Sequence, residues 1–449
     1  MDTEILIVGA GPTGLTLAVD LARRGVAHRI VDHDAGDFAG SRGKGIQPRT
    51  LEVFADLGVI DSAIAHGGPY PPMRAYQDGQ VVWERPMAPT VEPRADVPYP
   101  NPLMLPQWRT TEILRSRLAE LGGRVEPGVE FEGFSQDDNG ITAVLDGKPV
   151  RAKYLVGADG GRSGVRKATG VGFAGETLEQ HRMLIADVKV DGLDRDHWHI
   201  WTSGEGPVLA LCPLADTDTF QLVTQDEDAD LHELVRTTAG ATLTDVGWST
   251  HWRANVRMVD RYRVGRVFLA GDAAHVHTPA GGQGLNTGVQ DAYNLGWKLA
   301  LGAEELLDSY QDERLPVAAE VLGISTKLFA RGVAKQDDAM DRSDPVLRQL
   351  GVDYRESKLS VDTRPSPGAL RAGDRAPDGI AGPRRIHEAL RGPQFTVLTF
   401  GGSEYPGGVA VTDAPAYDIE AGYAVVRPDG YLGLIATDPA DVRQYLDRW

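Results

Sequence analysis

Apolar positions along this chain follow two rhythms. The first is a short continuous run, a glycine turn, and then apolar residues at helical spacing. Ile5 to Val8 is β-branched and apolar throughout, which suits a parallel strand covered on both faces. Leu15, Ala18, Leu21 and Ala22 then recur at helical spacing up to Gly25, and a second apolar run ends at Asp32. The strand-then-turn signature recurs where Tyr154 to Val156 runs into Gly157-Ala158-Asp159-Gly160, and where Val267 to Ala270 runs into Gly271-Asp272. A helix is predicted from Thr111, and another from near Leu285, whose apolar positions Leu285, Val289, Ala292, Gly296 and Leu299 predict an inner face packed on the core. A further helical region spans Leu306 to Lys335.

The second rhythm is alternation, broken at Gly, Asp and Pro. It occupies Tyr70 to Leu105 and about Ile185 to Trp252, and predicts antiparallel sheet. Trp83, Trp198, Trp201, Phe220, Trp248 and Trp252 concentrate there, as lining of a cavity or as core. After a Pro/Gly/Arg-rich connector, the last ninety or so residues predict helix, strand, a two-stranded unit around Pro428-Asp429-Gly430, and a final helix.

Together these patterns predict an α/β chain with a Rossmann-like dinucleotide-binding domain, a β-sheet substrate domain and a C-terminal domain. Composition narrows the partners. The chain has 449 residues and a formal charge of -18, so its field repels nucleic acid and anionic lipid. No basic, apolar leader opens it and no apolar run approaches a membrane span, which predicts a cytoplasmic protein. One cysteine, Cys212, leaves no disulfide or CxxC pair.

The first turn carries the chemistry. Gly9, Gly11 and Gly14 give GxGxxG between two strands: one glycine for the turn, one for backbone approach to a pyrophosphate, one for helix–strand packing. Asp32 follows at the distance where a carboxylate accepts from ribose hydroxyls. NAD and FAD both use such a turn.

The motifs "GPTGL", "GADGGRS" and "GDAAHVHTPAGGQGLNTGVQDAYNLGWKLA", in this order, resemble the FAD-dependent aromatic hydroxylases. These are class A flavoprotein monooxygenases of the para-hydroxybenzoate and phenol hydroxylase type, including the polyketide-hydroxylase branch. The resemblance implies FAD bound non-covalently, NAD(P)H as co-substrate, and hydroxylation of a phenolic or polyketide-like substrate through a flavin hydroperoxide. It implies cofactor contacts from Gly9, Gly11, Pro12, Thr13, Gly14, Asp32, Arg42, Gln107, Asp159, Gly271, Asp272, Pro279, Gly284, Leu285 and Asn286, with Pro279 and Gly282 against the flavin ring. The amides at the start of the Leu285 helix would face the flavin pyrimidine edge, where negative charge appears on reduction. The family's usual glutamate at the ribose position is here Asp32, followed by His33 where arginine is frequent. The "GDRAPD" and "VVRPDG" pieces resemble the thioredoxin-like domain of the phenol-hydroxylase branch, shortened here.

The domains expected on this basis are 1–70, 106–184 and 258–335 for FAD, 71–105 and 185–257 for substrate, and 365–449 for the thioredoxin-like part. A monomer or homodimer is expected. No metal is expected, because His275 and His277, two apart, fall on opposite sides of a strand or splay in a loop and lack a completed ligand set; hydrogen bonds to backbone are their expected role. No general base is self-evident; His199, His251 and Tyr262 are the ionisable candidates. A Baeyer–Villiger oxygenase or epoxidase on the same scaffold, or a flavin- or ligand-binding protein without turnover, is the alternative.

Overall fold

The structure, a computed structural model, describes residues 1–36, 40–203, 206–278, 280–333 and 340–449. Its first sheet has a parallel core. Thr3–Val8 lies between His28–Asp32 and Lys148–Gly157, with Val125–Pro127 beyond the former and Val267–Leu269 beyond the latter. Phe131–Asp137 and Gly140–Leu145 add an antiparallel meander to Lys148–Gly157. Ile5, Leu6, Ile7 and Val8 are all buried, as a strand covered on both faces must be. Helix Pro12–Arg23 packs against helices Gln107–Glu120 and Gly284–Leu301. The helix expected from Thr111 therefore starts four residues earlier, with Gln107 inside its first turn.

The second sheet is eight-stranded and largely antiparallel. It combines the hairpin Met73–Gln77/Gln80–Arg85 with the strands Phe173–Asp191, Trp198–Ser203, Gly206–Pro213, Thr219–Thr224 and Thr242–Val259, and His275–Val276 pairs onto its edge. Alternation gives it two different faces. Ala186, Val188, Trp201, Leu211, Phe220 and Leu222 form one core with Val235, under the short helix Leu231–Leu234 and the turn after it. Their neighbours Asp187, Gln221 and Cys212 point the other way, toward residues 41–44 of the first domain.

A third, five-stranded mixed sheet forms from Val361–Asp362, Leu432–Ala436, Gly422–Val426, Thr396–Phe400 and Val409–Ala410. The hairpin expected around Pro428-Asp429-Gly430 is present, and the last helix is Pro439–Leu446.

Helix Gly284–Leu301 differs from its expected form. It was to show one inner face, yet every residue from Asn286 to Leu299 is buried. Its polar stripe Asn286, Gln290, Asn294 and Lys298, spaced four apart, is covered rather than solvated. Helix Glu304–Val333, the turn near Gln349 and the hairpin residues Arg427 and Asp429 lie over it. Among the described residues, no helix is long and apolar enough to cross a membrane.

Candidate functional site

The three glycines of the first turn have three environments. At Gly9, with φ +106°, a Cβ would lie 2.3 Å from the Ala158 carbonyl oxygen, so this glycine lets the first and second strand–turn units touch. At Gly14 a Cβ would lie 1.9 Å from the Gly9 oxygen, where helix meets strand. At Gly11 a Cβ would meet nothing within 4 Å. The chain itself does not fill the space over Gly11, Pro12 is at the start of the helix, and no side chain caps the helix N-terminus. Asp32 Oδ2 accepts from the Ala10 amide at 2.5 Å, and Oδ1 from the Asp34 amide at 2.9 Å, which ties the second strand to the turn. Asp32, His33 and Asp34 bring potential ligand atoms within 4.8 Å of one another, but two of those carboxylate oxygens already serve the backbone.

The third strand–turn unit closes onto the first at Thr13. A Cβ at Gly271 would stand 2.5 Å from Thr13 Oγ1; one at Gly288 would stand 2.4 Å from the same atom and 3.1 Å from Gly271 Cα. Helix, turn and helix meet there with no room for a methyl group. Asp291 holds the arrangement from behind. Its Oδ2 accepts from the Gly271 amide at 3.0 Å and pairs with His275 Nε2 at 2.8 Å, while Oδ1 accepts from Arg314 Nε at 2.7 Å. Burial alone would raise the Asp291 carboxyl, but Arg314 and His275 beside it hold it below the usual range. Asp272, next to this anchored glycine, is surrounded by protein, and burial raises its carboxyl pKa against the pull of His275 and Arg42. Its side chain nevertheless keeps an open surface. A carboxylate that is both ringed by protein and open faces an internal cleft.

The segment 281–286 leads into helix Gly284–Leu301 and packs on residues 43–47. Gly281 and Gly282 have φ +89° and +62°. Asn286 is fully buried: Oδ1 accepts from the Gln47 amide at 2.7 Å, and Nδ2 donates to the Gly45 and Gly282 carbonyls, both at 2.8 Å. All its hydrogen-bonding capacity thus fixes backbone. Gly43 lies between Gln107, whose Oε1 accepts from its amide at 3.2 Å, and Leu285, whose Cδ1 would be 3.2 Å from a Cβ. Gly284 lies against the His277 ring. Helix Gly284–Leu301 starts without a side-chain cap, so its first amides are free of such competition. Arg42 is exposed and stands 5.8 Å from the Trp248 ring centre. Asp159 is engaged within its own turn, accepting from Ser163 Oγ at 2.5 Å and the Val165 amide at 3.1 Å, so its carboxylate acts as a local cap. Pro279 lies outside the described residues.

The histidines depart from expectation. His275 and His277 do not splay apart or take opposite sides: their rings are parallel, 6° between planes, with centres 6.3 Å apart, because residues two apart along extended chain share a face. His275 pairs with Asp291 rather than with backbone. His277 does bond backbone, the Thr278 carbonyl at 2.9 Å, and burial pushes its pKa down to about 4, keeping it neutral. The three candidate bases lie in three separate surroundings. His199 lies against both Tyr76 and Trp201, its ring centre 5.8 Å from each, next to the core under residues 231–239. His251 is exposed beside Glu227. Tyr262 is buried against His275 and Tyr310, and burial pushes its phenol well up.

Sequence reasoning missed Asp291, Arg314, Gln47, Lys44 and Asp187. For Asp291 a signal existed: a carboxylate in a helix expected to pack on the core must be paired or exposed.

A family described as FAD binding domain matches residues 2–325. The chain belongs to this family. A flavin-dependent monooxygenase of Mycobacteroides abscessus is 47% identical, over 99% of this chain and 99% of the relative. The 6-methylpretetramide 4-monooxygenase of Streptomyces rimosus is 34% identical, over 96% of this chain and 90% of the relative. Among solved structures, the flavin-dependent monooxygenase PieE in complex with FAD and substrate superposes with a TM-score of 0.84 at 25% identity, covering 100% of this chain and 98% of that one. The protein is therefore an FAD-dependent oxidoreductase, a flavin-dependent monooxygenase of the aromatic and polyketide hydroxylase kind. The residues of this flavoprotein fit the cofactor: open backbone at Gly11, an uncapped helix start at Gly284, and the Asp272 carboxylate at the floor of the cleft.

Proposed function

We propose that this monooxygenase consumes NAD(P)H and molecular oxygen to hydroxylate a phenolic or polyketide-like aromatic compound held between the flavin and the second sheet. The observation that carries this reading is that the first strand–turn unit meets the second at Gly9 and the third at Thr13, beside an Asp272 carboxylate ringed by protein yet open. FAD, once bound, supplies the reduction by NAD(P)H and the activation of oxygen. The chain's residues do the rest. In this reading Gly11 and the amides of helix Pro12–Arg23 receive the pyrophosphate, Asp32 and Asp272 accept from sugar and ribityl hydroxyls, and Arg42 and Gln107 line the ribityl side. The turn Gly281–Asn286, set by Asn286, presents its backbone to the ring system, and the amides of Gly284 and Leu285 stabilise negative charge there. The walls exclude water, which protects the activated oxygen from unproductive loss.

The test is direct. Protein reconstituted with FAD is supplied with NADPH or NADH and a panel of phenols and multi-ring aromatics, and isotopic oxygen is traced into product. One labelled oxygen added to a ring carbon supports the reading. Label inserted into a carbon–carbon bond or an epoxide, or no ligand-stimulated oxidation at all, refutes it.

A further inference from the structure

The face of the second sheet that looks toward residues 41–47 carries a run of hydrogen bonds outside the contacts described above. Lys44 Nζ donates to Gln221 Oε1. Gln221 Nε2 donates to the Ser41 carbonyl and, at 3.1 Å, to its hydroxyl, and Ser41 Oγ donates to Asp187 Oδ1. Asp187 is 5% exposed and its Oδ2 has no protein partner. Burial pushes its carboxyl up to about 6, with Ser41 and Lys44 pulling the other way.

Lys44 Nζ stands 4.3 Å from the Trp198 ring centre, and Trp198 packs with Tyr70 against an apolar cluster. Lys44, Tyr70 and Trp198 are each half-buried, yet the Tyr70 phenol lies deep enough that burial raises its pKa. The backbone on both sides of Lys44 is fixed to the turn 281–286: Gly43 packs on Leu285, and the Gly45 carbonyl accepts from Asn286. The ammonium thus hangs between that turn and the sheet. Gln221 takes one of its three N–H bonds. A half-buried cation over an aromatic ring, held by its own buried support, matches a flat ligand that carries a negative oxygen.

We propose that Lys44 is a specificity-determining residue of this site: its ammonium receives the ionised oxygen of an acidic phenol or enol on an aromatic substrate, and Gln221, Ser41 and Asp187 are positioning residues that set where the ammonium stands. The ligand binds as the oxyanion, having lost its proton to solvent. This deepens the hydroxylase reading and rests on it for the aromatic character of the ligand.

Equilibrium dialysis on the FAD-loaded protein tests it, with 4-nitrophenol as the ionisable probe and 4-nitroanisole as its non-ionisable twin, at a pH where the phenol is ionised. The parent binds the phenolate about tenfold or more tighter than the anisole, as one unscreened charge contact allows. Lys44→Met equalises the two, Lys44→Arg keeps a preference, and Gln221→Leu loses part of it. A parent that binds both probes equally, or neither, overturns the proposal, as does a Lys44→Met protein with full FAD content that retains the preference. If Lys44→Met fails to fold, Gln221→Leu decides, since an unchanged preference there also overturns it. Phenol-stimulated NAD(P)H oxidation is read in the same samples. Phenolate preference without stimulated oxidation refutes hydroxylation and leaves the Lys44 assignment standing; stimulated oxidation without the preference does the reverse.

Discussion

Gly288→Ala isolates the contact on which the cofactor site depends. Gly288 lies in helix Gly284–Leu301, where alanine should help: replacing a mid-helix glycine contributes about 1 kcal/mol from propensity alone. The new methyl, however, would lie 2.4 Å from Thr13 Oγ1 and 3.1 Å from Gly271 Cα. Thr13 is β-branched and sits in the first turn of its own helix, so it has few rotamers to escape into. Overpacking of this kind costs about 1–3 kcal/mol. Much of that cost should appear as a shift of the Gly271-Asp272 turn, because Gly271 is the backbone neighbour. Net stability without cofactor should thus change by about 2 kcal/mol or less, while FAD affinity falls about tenfold or more for each 1.4 kcal/mol of displaced turn. Gly323, in helix Glu304–Val333, is the control: it is exposed, a Cβ there meets nothing within 4 Å, and Gly323→Ala should stabilise by about 1 kcal/mol with FAD binding unchanged. The assay is titration of FAD into apoprotein by flavin fluorescence, beside urea unfolding of each apo variant. Thr13→Ala removes the nearer clash, so the double variant Thr13→Ala/Gly288→Ala should bind FAD better than Gly288→Ala alone. If Gly288→Ala binds FAD as tightly as the parent, the meeting of the first and third turns at Thr13 is not what holds the cofactor.

Three other expectations follow from the same geometry. Arg427→Met should destabilise by about 3–5 kcal/mol in urea unfolding, because it removes the guanidinium paired with both buried Glu313 and buried Asp429; adding Glu313→Gln should recover part of the loss, and additive losses would contradict a shared network. Asp187→Asn should stabilise at pH 8 and have little effect near pH 4: a carboxyl raised from 3.8 to about 6 in the fold binds its proton more readily folded than unfolded, so its ionisation opposes folding as pH rises through that window, by up to about 3 kcal/mol. Equal effects at both pH values would show that Asp187 is not the group responsible. Asp272→Ala should lower FAD content in purified protein far more than His277→Ala, since Asp272 keeps an open face to the cleft while His277 is spent on the Thr278 carbonyl; equal loss would contradict the assignment of Asp272.

What was legible in the sequence is what is encoded within a few residues. A buried strand, its glycine turn and the following helix are adjacent in the chain, so all three strand–turn units and the terminal hairpin could be read directly, and the family motifs rest on them. The contacts that shape the cleft are of another kind. Lys44 meets Gln221 across 177 positions, Asp187 meets Ser41 across 146, and Arg427 meets Glu313 across 114. No periodicity relates such pairs; sheet register decides which face Asp187 and Gln221 occupy. The histidine pair was misplaced for a local reason: period-two alternation puts residues two apart on the same face of extended chain, not on opposite faces, so the His275 and His277 rings lie side by side.

Helix Gly284–Leu301 shows why its polar stripe misleads. A stripe four apart normally marks a solvated face, but this helix begins without a side-chain cap, forgoing about 1 kcal/mol where its amides must stay open to a ligand. It is held by its flank instead. Asn286 bonds residues 45 and 47, Gln290 donates to Gln349 at 2.6 Å, Asn294 donates to Glu313 at 2.7 Å and to Asp429 at 3.0 Å, and Lys298 donates to Glu313 at 2.7 Å. Apolar residues could bury the same area, with less desolvation, but non-directionally. Directional bonds to four separate segments define both the axial position and the roll of the helix. The terminal hairpin enters here: Arg427 bonds both Glu313 and Asp429, so the third sheet is joined to the helix whose far end carries the turn beside the cleft. A change at the hairpin can therefore act on the cofactor site through the position of that helix and through Arg49, which lies two residues from Gln47 and donates to the Asp429 carbonyl, and loss of FAD in Arg427→Met should scale with loss of stability rather than exceed it.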